Sequence, residues 1–443
     1  MITPEYRGYG GGIMTFYRNL APALAQEGWS VHVIEGSGFG AFHEAAPETI
    51  DGVRVEGLEA ARLSSWLTRF DHLAATPTLR RILAASWAAH EQASMHGPFD
   101  LIEATEFGLL HLPYLQQSAT KIIVQSHAGW GQIGLHERNG GYSVDQTLTL
   151  ALETVGMRWA SARHTYSHAN SHWWQAQGAG TFSMIRPCWA PPVSTFANPT
   201  GQDIDDVIRV FGRVQAWKGP HIVAEAWRAA PELPDIDWHG RDVATDSRGG
   251  TTGSALGNDF PDVWGARIRP LGNVSPAEVV SLQSRALLNL VPSTWDVFNF
   301  TAVEAMASAR PVVCSNKAGA SELIEDGRTG FIYDGASPAA LTEAMRRALA
   351  LPRAELARIG QDAREEVLKS LDPKRQVRAH IAAYEAAMAA GRPNPDSIPA
   401  WFLETALPRE TMAGKYAHLE QQPLRDLAEH VVERTLRKIK SKL

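Results

Sequence analysis

The sequence is poor in cysteine, in long apolar stretches and in positive charge. Its 443 residues include two cysteines. Cys188 and Cys314 lie far apart without metal-ligand spacing, which excludes a disulfide framework and fits a reducing cytoplasm. No apolar run is long enough to span a bilayer, and the N-terminal MITPEYRGYGGG lacks the apolar core of a signal peptide. The net charge of −6 argues against a generally basic surface, so no nucleic-acid partner is expected.

The rest of the sequence indicates an α/β protein. Hydrophobic residues make up 44% and charged residues 20% of the chain, as in soluble globular proteins. Short apolar segments typical of buried strands alternate with helical patterns at 13–28 and 339–352. The predicted strands lie at 30–36, 100–108, 121–129, 207–213, 235–241 and 285–293. The short links between strands and helices predict parallel sheets with helices on both faces.

A break in this alternation indicates two similar domains. Residues 187–203 are rich in Pro, Ser and Thr, and the strand–helix pattern restarts after them. We therefore predict doubly wound Rossmann-like domains at 1–194 and 195–375, followed by a crossover helix and tail at 376–443. The Gly- and Ser-rich stretch 245–259 is predicted to be a loop, either a functional lid or a plain surface insertion.

The tail ends in a predicted amphipathic helix at 424–443. Apolar residues recur there at helical spacing, and basic residues crowd its end. Two interpretations remain open. The helix packs on its own protein, with its cations at the helix C-terminus, or it makes peripheral contact with an anionic membrane surface.

The stretch DVFNFTAVEAM, residues 296–306, carries the main functional signal. It follows the predicted strand ALLNLV, and ligands of open α/β sheets bind beyond the carboxyl ends of strands. The helix that follows offers unpaired N–H groups to an anion such as phosphate. Asp296 and Glu304 flank this site, whereas the two carboxylates of a glycosidase face one bond across ~5–9 Å. The arrangement suits a nucleotide sugar, whose hydroxyl groups lie on either side of its diphosphate.

Two further segments supply groups that bind phosphate. VFGRVQAWKG, residues 210–219, contains Arg213 and Lys218 just after a predicted strand, and these side chains bind phosphate as a fork and as a point charge. The glycines at 10–12 precede the first helix and let backbone N–H groups approach a ligand. Taken alone, each signal is equally compatible with common surface cations or a flexible turn.

Together these motifs resemble retaining glycosyltransferase family 4, which has the GT-B fold. The resemblance runs from the glycine loop to about residue 380. It rests on GRVQAWKG (212–219), Asp296 and Glu304 with seven residues between them, EAMASARPVV (304–313) and GASELIEDGRTGF (319–331). It implies two Rossmann-like domains facing across a cleft, with the acceptor on the N-terminal side and the nucleotide sugar on the C-terminal side.

The resemblance also implies an activity. It is a retaining transfer, without metal or other cofactor, from a UDP- or GDP-sugar donor to a glycan or lipid-linked acceptor. The implied process is the biosynthesis of cell-surface polysaccharide. The protein would be cytoplasmic, either soluble or peripheral at the inner face of the membrane. A sugar-nucleotide epimerase of the same fold and a non-catalytic nucleotide-sugar-binding protein remain open as alternatives.

Individual residues take roles from the same resemblance. Asp296 and His127 would lie at the donor sugar, and Arg213 and Lys218 would hold the diphosphate and stabilise the leaving group. Glu304 would bind the ribose hydroxyls. The remaining donor-binding residues would be Phe298, Asn299, Phe300, Thr301, Gly11, Gly12, Gly240 and Val274.

Three departures from the family pattern stand out. Asp296 replaces the usual Glu, which changes the reach of the carboxylate. Val297 and Asn299 replace the usual Gly, and of these Asn tolerates positive φ better. The first strand is short, because MITPEY begins almost at its end. We expect either a start further upstream or a clipped central strand.

Three histidines spaced four apart, His164, His168 and His172, form a second candidate site, for zinc. We do not expect them to converge on a metal ion. HTYSHA reads as a strand, and Asn170 and Ser171 are predicted to cap the following helix.

Overall fold

The computed structural model describes residues 1–8, 11–39, 46–116, 120–137, 143–191, 204–244, 250–391, 393–409, 416–420 and 422–440. The predicted boundary at 194/195 and part of the predicted linker lie outside the described residues.

The first part of the chain forms an eight-stranded sheet with helices on both faces. Its strands are β1 Ile2–Thr3, β2 His32–Glu35, β3 Glu48–Ile50, β4 Val53–Gly57, β5 Leu101–Thr105, β6 Lys121–Gln125, β7 Ala162–Thr165 and β8 Ser183–Met184. Its helices are α1 Gly12–Gln26, α2 Ala60–Thr68, α3 Pro77–Ser94, α4 Trp130–Gly134, α5 Val144–Arg158 and α6 His168–Ala176. The strand order is β3-β4-β2-β1-β5-β6-β7-β8, and only the β3–β4 pair is antiparallel.

Alternating apolar residues bury both faces of this sheet. Val33 and Val55 pack with Phe16 of α1, whereas Ile34 packs on the opposite face with Ile82 of α3. This is why the strands read as nearly continuous apolar runs. The central strand β1 is two residues long, as the sequence predicts, and it pairs with both β2 and β5.

The second part of the chain forms a six-stranded, fully parallel sheet. Its strands are β9 Ile208–Phe211, β10 Ile236–His239, β11 Ile268–Gly272, β12 Leu288–Val291, β13 Val312–Ser315 and β14 Phe331–Tyr333. Its helices are α7 Pro220–Ala229, α8 Thr252–Asp259, α9 Pro276–Arg285, α10 Phe300–Ala307, α11 Pro338–Leu349 and α12 Arg353–Ser370. The strand order is β11-β10-β9-β12-β13-β14. Successive strands are added on one side of β9 as far as β11 and on its other side from β12, so the order of addition reverses between β9 and β12. The predicted α/β architecture of two doubly wound sheets is confirmed.

The chain then returns to the first sheet. Helices α13 Pro373–Ala389 and α14 Ala400–Ala406 follow α12. The Tyr384 hydroxyl of α13 donates to Glu103 Oε2 on β5 at 2.5 Å, and Trp87 Nε1 donates to the carbonyl of Ala406 at 3.1 Å. The last helix, α15, is Leu424–Lys440.

Two predictions of local structure are wrong. The stretch predicted as a loop at 245–259 contains α8, which begins in a capping box between Thr251 and Ser254; residues 245–249 lie outside the described part. Ser167, not Asn170 or Ser171, caps α6.

The structure decides against one of the two interpretations of the tail, because the described residues of α15 do not pack on the rest of the protein. Leu424 is 84% exposed and Val431 61%. Among the described residues, no helix is long and apolar enough to cross a membrane.

Candidate active site

The candidate site lies where the second sheet reverses its strand order. Strands β9 and β12 are neighbours there, so the loops at their carboxyl ends open into one crevice. The loop after β9 carries Arg213 and Lys218, and the loop after β12 carries Asp296. Residues far apart in the sequence therefore meet at one edge of the sheet.

Asp296 and Lys218 form an ion pair. Lys218 Nζ lies 2.5 Å from Asp296 Oδ2, and both side chains are largely buried. The ammonium also lies 4.1 Å from the ring centroid of Trp217. Arg213 lies at the exposed rim of the same loop, with its guanidinium carbon 5.8 Å from the Trp217 centroid. The structure thus brings a carboxylate and two cations to one crevice, as a site for a diphosphate and a sugar requires.

Asn299 shapes the turn between Asp296 and α10. Its φ is +82°, its Nδ2 donates to Asp296 Oδ2 at 2.9 Å, and its Oδ1 accepts from Ala302 N at 3.1 Å. One N–H group at the start of α10 is therefore already paired. The N–H group of Ala302 has no partner within α10, as expected, but the capping side chain of Asn299 already occupies it.

Glu304 lies on the next turn of α10. Burial raises the pKa of its carboxyl to about 7, yet the residue keeps partial solvent access. Within the described residues no group hydrogen-bonds to this carboxylate, so it is available to accept hydrogen bonds from a ligand. Thr301, on the same helix, uses its carbonyl to accept from Gln283 Nε2 at 3.1 Å.

The glycine loop of the first sheet lies against α10. A Cβ added to Gly12 would be 3.2 Å from the Phe300 ring, and Gly11 N donates to Glu5 Oε2 at 2.9 Å. Gly10 lies outside the described residues. A side chain at position 12 would crowd the Phe300 ring, so the close approach of Gly12 to Phe300 marks where the two halves of the chain meet.

His127 lies on the loop after β6. Burial lowers its pKa to about 3, so the imidazole is neutral at physiological pH, and it contacts the Tyr166 hydroxyl. Its position depends on Glu106, a buried residue that our reading of the sequence missed. Glu106 Oε1 accepts from the backbone N–H groups of His127 at 2.7 Å and Ala128 at 2.9 Å. An acid near the end of the predicted strand DLIEATEFG, residues 100–108, was the available signal.

The other predicted donor-binding residues are dispersed along the same edge. Phe298 is buried and its carbonyl accepts from Ala320 N at 2.6 Å. Gly240 follows β10, and a Cβ there would meet the Gly212 carbonyl oxygen at 2.0 Å. Val274 is half-buried in the loop after β11. Gly240 and Val274 thus follow neighbouring strands, whereas Phe298 is enclosed by protein.

Contacts between the two halves border the crevice, and our sequence analysis did not predict them. The His136 ring stacks on Trp295 with centroids 4.1 Å apart. Glu137 accepts from Trp217 Nε1 at 3.1 Å. Ser167 Oγ donates to the Val297 carbonyl at 2.8 Å. The loop that carries Asp296 is therefore held from both sides.

The three histidines spaced four apart do not share a face. His164 is buried on β7 and stacks on Tyr384, with centroids 6.2 Å apart. His168 and His172 lie on α6, with ring centroids 6.4 Å apart.

Comparison with known proteins identifies the segment that contains Asp296 and Glu304. Residues 265–366 match the family model described as glycosyl transferases group 1. The matched segment begins after Arg213 and Lys218 and ends within α12.

Curated relatives match part of the chain. The D-inositol 3-phosphate glycosyltransferase of Corynebacterium glutamicum is 31% identical over 169 residues, 36% of this chain and 38% of the relative. That of Gordonia bronchialis is 30% identical over 222 residues, 47% of each protein. The chain thus spans less than half the length of the curated relatives it matches.

Solved structures resemble most of the chain. Sucrose-phosphate synthase from Thermosynechococcus elongatus has a TM-score of 0.66 and 20% identity, over 86% of this chain and 94% of that one. Anabaena HepE, in complex with UDP-glucose, has a TM-score of 0.60 and 17% identity, over 86% of this chain and 99% of that one. These likenesses confirm the predicted GT-B fold.

Proposed function

We propose that this chain is a retaining glycosyltransferase that moves a sugar from a UDP- or GDP-sugar to a glycan or lipid-linked acceptor. The observation that carries the proposal is the Lys218–Asp296 ion pair at the reversal point of the second sheet. The family match of residues 265–366 and the glycosyltransferase names of the relatives support it.

Each group has a defined task in this proposal. Lys218 and Arg213 bind the diphosphate and stabilise the negative charge that develops on the leaving nucleotide. Asp296 lies beside the anomeric carbon and supports its developing positive charge. Glu304, with no protein hydrogen-bond partner among the described residues, accepts hydrogen bonds from the ribose hydroxyls. No metal or other cofactor takes part.

His127 and the glycine loop serve the sugar side. The neutral imidazole of His127 can donate a hydrogen bond to a sugar hydroxyl or accept one from it, and it introduces no charge. Gly11 and Gly12 leave room for the donor and the acceptor between the two sheets. Closure of the crevice around both substrates excludes water and favours transfer over hydrolysis.

Calorimetry followed by product analysis tests this proposal. UDP-glucose is the first donor to titrate, because the similar structure of HepE is a complex with UDP-glucose. GDP-sugars follow. We expect Lys218→Ala to weaken binding by about 10- to 100-fold, because a charged hydrogen-bond partner is worth roughly 1.5–3 kcal/mol. Asp262→Asn, which alters an exposed ion pair with Arg228 of α7, is the matched control. Equal binding by Lys218→Ala and wild type would contradict the assigned site.

Product analysis separates the alternatives. Transfer with retained anomeric configuration supports the proposal. An altered sugar nucleotide formed without acceptor indicates an epimerase, and tight binding without turnover indicates a nucleotide-sugar-binding protein. The acceptor screen includes lipid-linked glycans and, because of the relatives' names, D-inositol 3-phosphate.

The proposal includes peripheral contact of α15 with an anionic membrane. Its apolar side chains are exposed in the structure, Ile439 to 51% and Leu436 to 54%, and basic residues crowd its end. Burial of such a face at a lipid surface removes apolar area from water while the cations meet anionic headgroups. Co-sedimentation with vesicles of phosphatidylglycerol and phosphatidylcholine tests this. The double variant Val431→Asp/Ile439→Asp should not bind these vesicles, and the wild-type protein should not bind vesicles of pure phosphatidylcholine. If binding is unchanged in both experiments, α15 does not contact an anionic membrane in this way.

A further inference from the structure

Three possible metal ligands meet on the first sheet, outside the candidate active site. His32 begins β2, Glu56 lies on β4, and His96 follows the end of α3. One ligand atom from each lies within 4.8 Å of the other two. Among the described residues, no other set of three or more His, Cys, Asp or Glu side chains meets the geometry of a metal site.

Both imidazoles aim at the Glu56 carboxylate. His32 Nε2 contacts Glu56 Oε1, and His96 Nε2 lies 3.1 Å from Oε1 and 3.2 Å from Oε2. The two rings lie edge to face with centroids 4.9 Å apart. The three side chains therefore converge on a common centre.

Other groups hold the carboxylate in this orientation. Gln92 Nε2 donates to Glu56 Oε2 at 3.2 Å and to the Gly57 carbonyl at 2.9 Å, while its Oε1 accepts from Glu59 N at 3.1 Å. Hydrogen bonds of this kind orient metal ligands in proteins. Gln92 therefore fixes the carboxylate while the two histidines face it.

Arg54 is the cation that competes with a metal ion for this carboxylate. Its Nε lies 3.7 Å from Glu56 Oε1, and its side chain is 52% exposed, so it can turn to solvent.

We propose that His32, Glu56 and His96 bind a divalent transition-metal ion, with Zn²⁺ the best match. Two imidazole nitrogens and one carboxylate oxygen form a ligand set that Zn²⁺ uses, with water in the fourth position. His32 starts its strand and His96 follows its helix, so the site lies toward the amino-terminal edge of the sheet, away from the crevice. Its role is structural, joining β2, β4 and the end of α3, and it does not depend on the proposed function.

Zinc titration of untagged, chelator-treated full-length protein tests the site. We expect one Zn²⁺ per chain by calorimetry and a higher unfolding temperature with Zn²⁺, because a ligand that binds only the folded state stabilises it. His96→Gln, at a partly exposed position beyond α3, should weaken binding by at least ~10-fold, since loss of an outer hydrogen-bond partner alone costs about that much.

His172→Gln is the matched control, because His168 and His172 form a pair of imidazoles outside the proposed site, with ring centroids 6.4 Å apart. Retained binding in this variant together with the loss in His96→Gln supports the site. A loss in His172→Gln as large as in His96→Gln would overturn it. Co²⁺ absorption by the wild-type protein provides a test that needs no variant. The absence of both stoichiometric Zn²⁺ binding and a visible Co²⁺ spectrum also overturns the proposal.

Discussion

Asn299 holds the loop that carries Asp296 in a conformation that most side chains avoid. Its φ of +82° lies in the left-handed region, which costs an ordinary L-residue roughly 1–2 kcal/mol. Its side chain also caps α10 and donates to Asp296. A residue that replaces the family's usual glycine thus keeps the turn and adds two hydrogen bonds.

This position yields a prediction from a pair of variants. Asn299→Ala should destabilise the protein by about 2–3 kcal/mol, because it adds backbone strain and removes the cap. Asn299→Gly keeps the positive φ without strain, and a glycine cap costs only a few tenths of a kcal/mol relative to Asn. Urea unfolding measures both. Equal stability of the two variants would show that the backbone conformation at 299 contributes no strain.

Glu304 yields a prediction about pH. Its pKa is raised from 4.5 to about 7, so between these values the folded state binds more protons than the unfolded state, and stability falls as pH rises through that window. Glu304→Gln removes the cost of the buried charge. Because the side chain keeps some solvent access, we expect a gain of about 1–3 kcal/mol at pH 8 and little change near pH 4.5.

Unfolding of the ligand-free variant and wild type at both pH values measures this effect. The same variant should bind UDP-glucose more weakly at pH 8, because an amide accepts hydrogen bonds from hydroxyls less strongly than a carboxylate. A loss of stability at pH 8 would contradict the assigned environment of Glu304.

At the scale of elements, the conformation of the loop after β6 is held by hydrogen bonds to Glu106, a buried acid at the end of β5. Glu106 accepts from Ser126 Oγ at 2.8 Å and from two backbone N–H groups. Glu106→Ala leaves these buried donors without a partner, and we expect a loss of about 2–4 kcal/mol and lower transfer activity as His127 moves. Glu106→Gln keeps an oxygen acceptor and should lie much closer to wild type in both assays. Equal damage from both variants would show that charge, not the acceptor, matters.

Elements differ in how far their sequence predicts them. The six predicted strands β2, β5, β6, β9, β10 and β12 were found because their segments are mostly apolar and buried on both faces. Strands such as β3 and β8, of three and two residues, are too short to give such a signal. Helix α8 was not, because only Thr252 and Leu256 within it are buried and its Gly and Ser content is typical of a loop. The cap of α6 was placed too late because Ser167, Asn170 and Ser171 all favour helix starts.

The candidate site shows the same division. Asp296, Glu304, Arg213 and Lys218 form patterns at fixed spacing, so sequence alone could nominate them. The His136–Trp295 stack could not be nominated, because its two rings lie far apart in the chain. Glu106 gave only the weak signal of an acid near the end of an apolar strand. The apolar stripe of α15 predicted a helix but not what covers it, since periodicity records only that one face is apolar.

At the scale of the whole molecule, α13 joins the two sheets. It follows α12 of the second sheet, packs on α1, and donates from Tyr384 to the buried Glu103 of β5. Burial raises the pKa of Glu103, and the Tyr384 hydrogen bond opposes that rise. The contact therefore lies where the second half of the chain is fastened to the first.

Tyr384→Phe keeps the ring and removes only the donor to Glu103. A buried carboxylate left without this partner costs about 1–3 kcal/mol, so we expect a lower unfolding temperature. The two halves should then unfold less cooperatively, because the variant removes a hydrogen bond between α13 and the first sheet and leaves the second sheet unchanged. Calorimetry would then show a broader or divided transition.

Tyr416→Phe, at a ring that is 61% exposed, is the matched control. If Tyr384→Phe unfolds like this control in one sharp transition, the hydroxyl does not fasten α13 to the first sheet, and packing of α13 against α1 must couple the two halves.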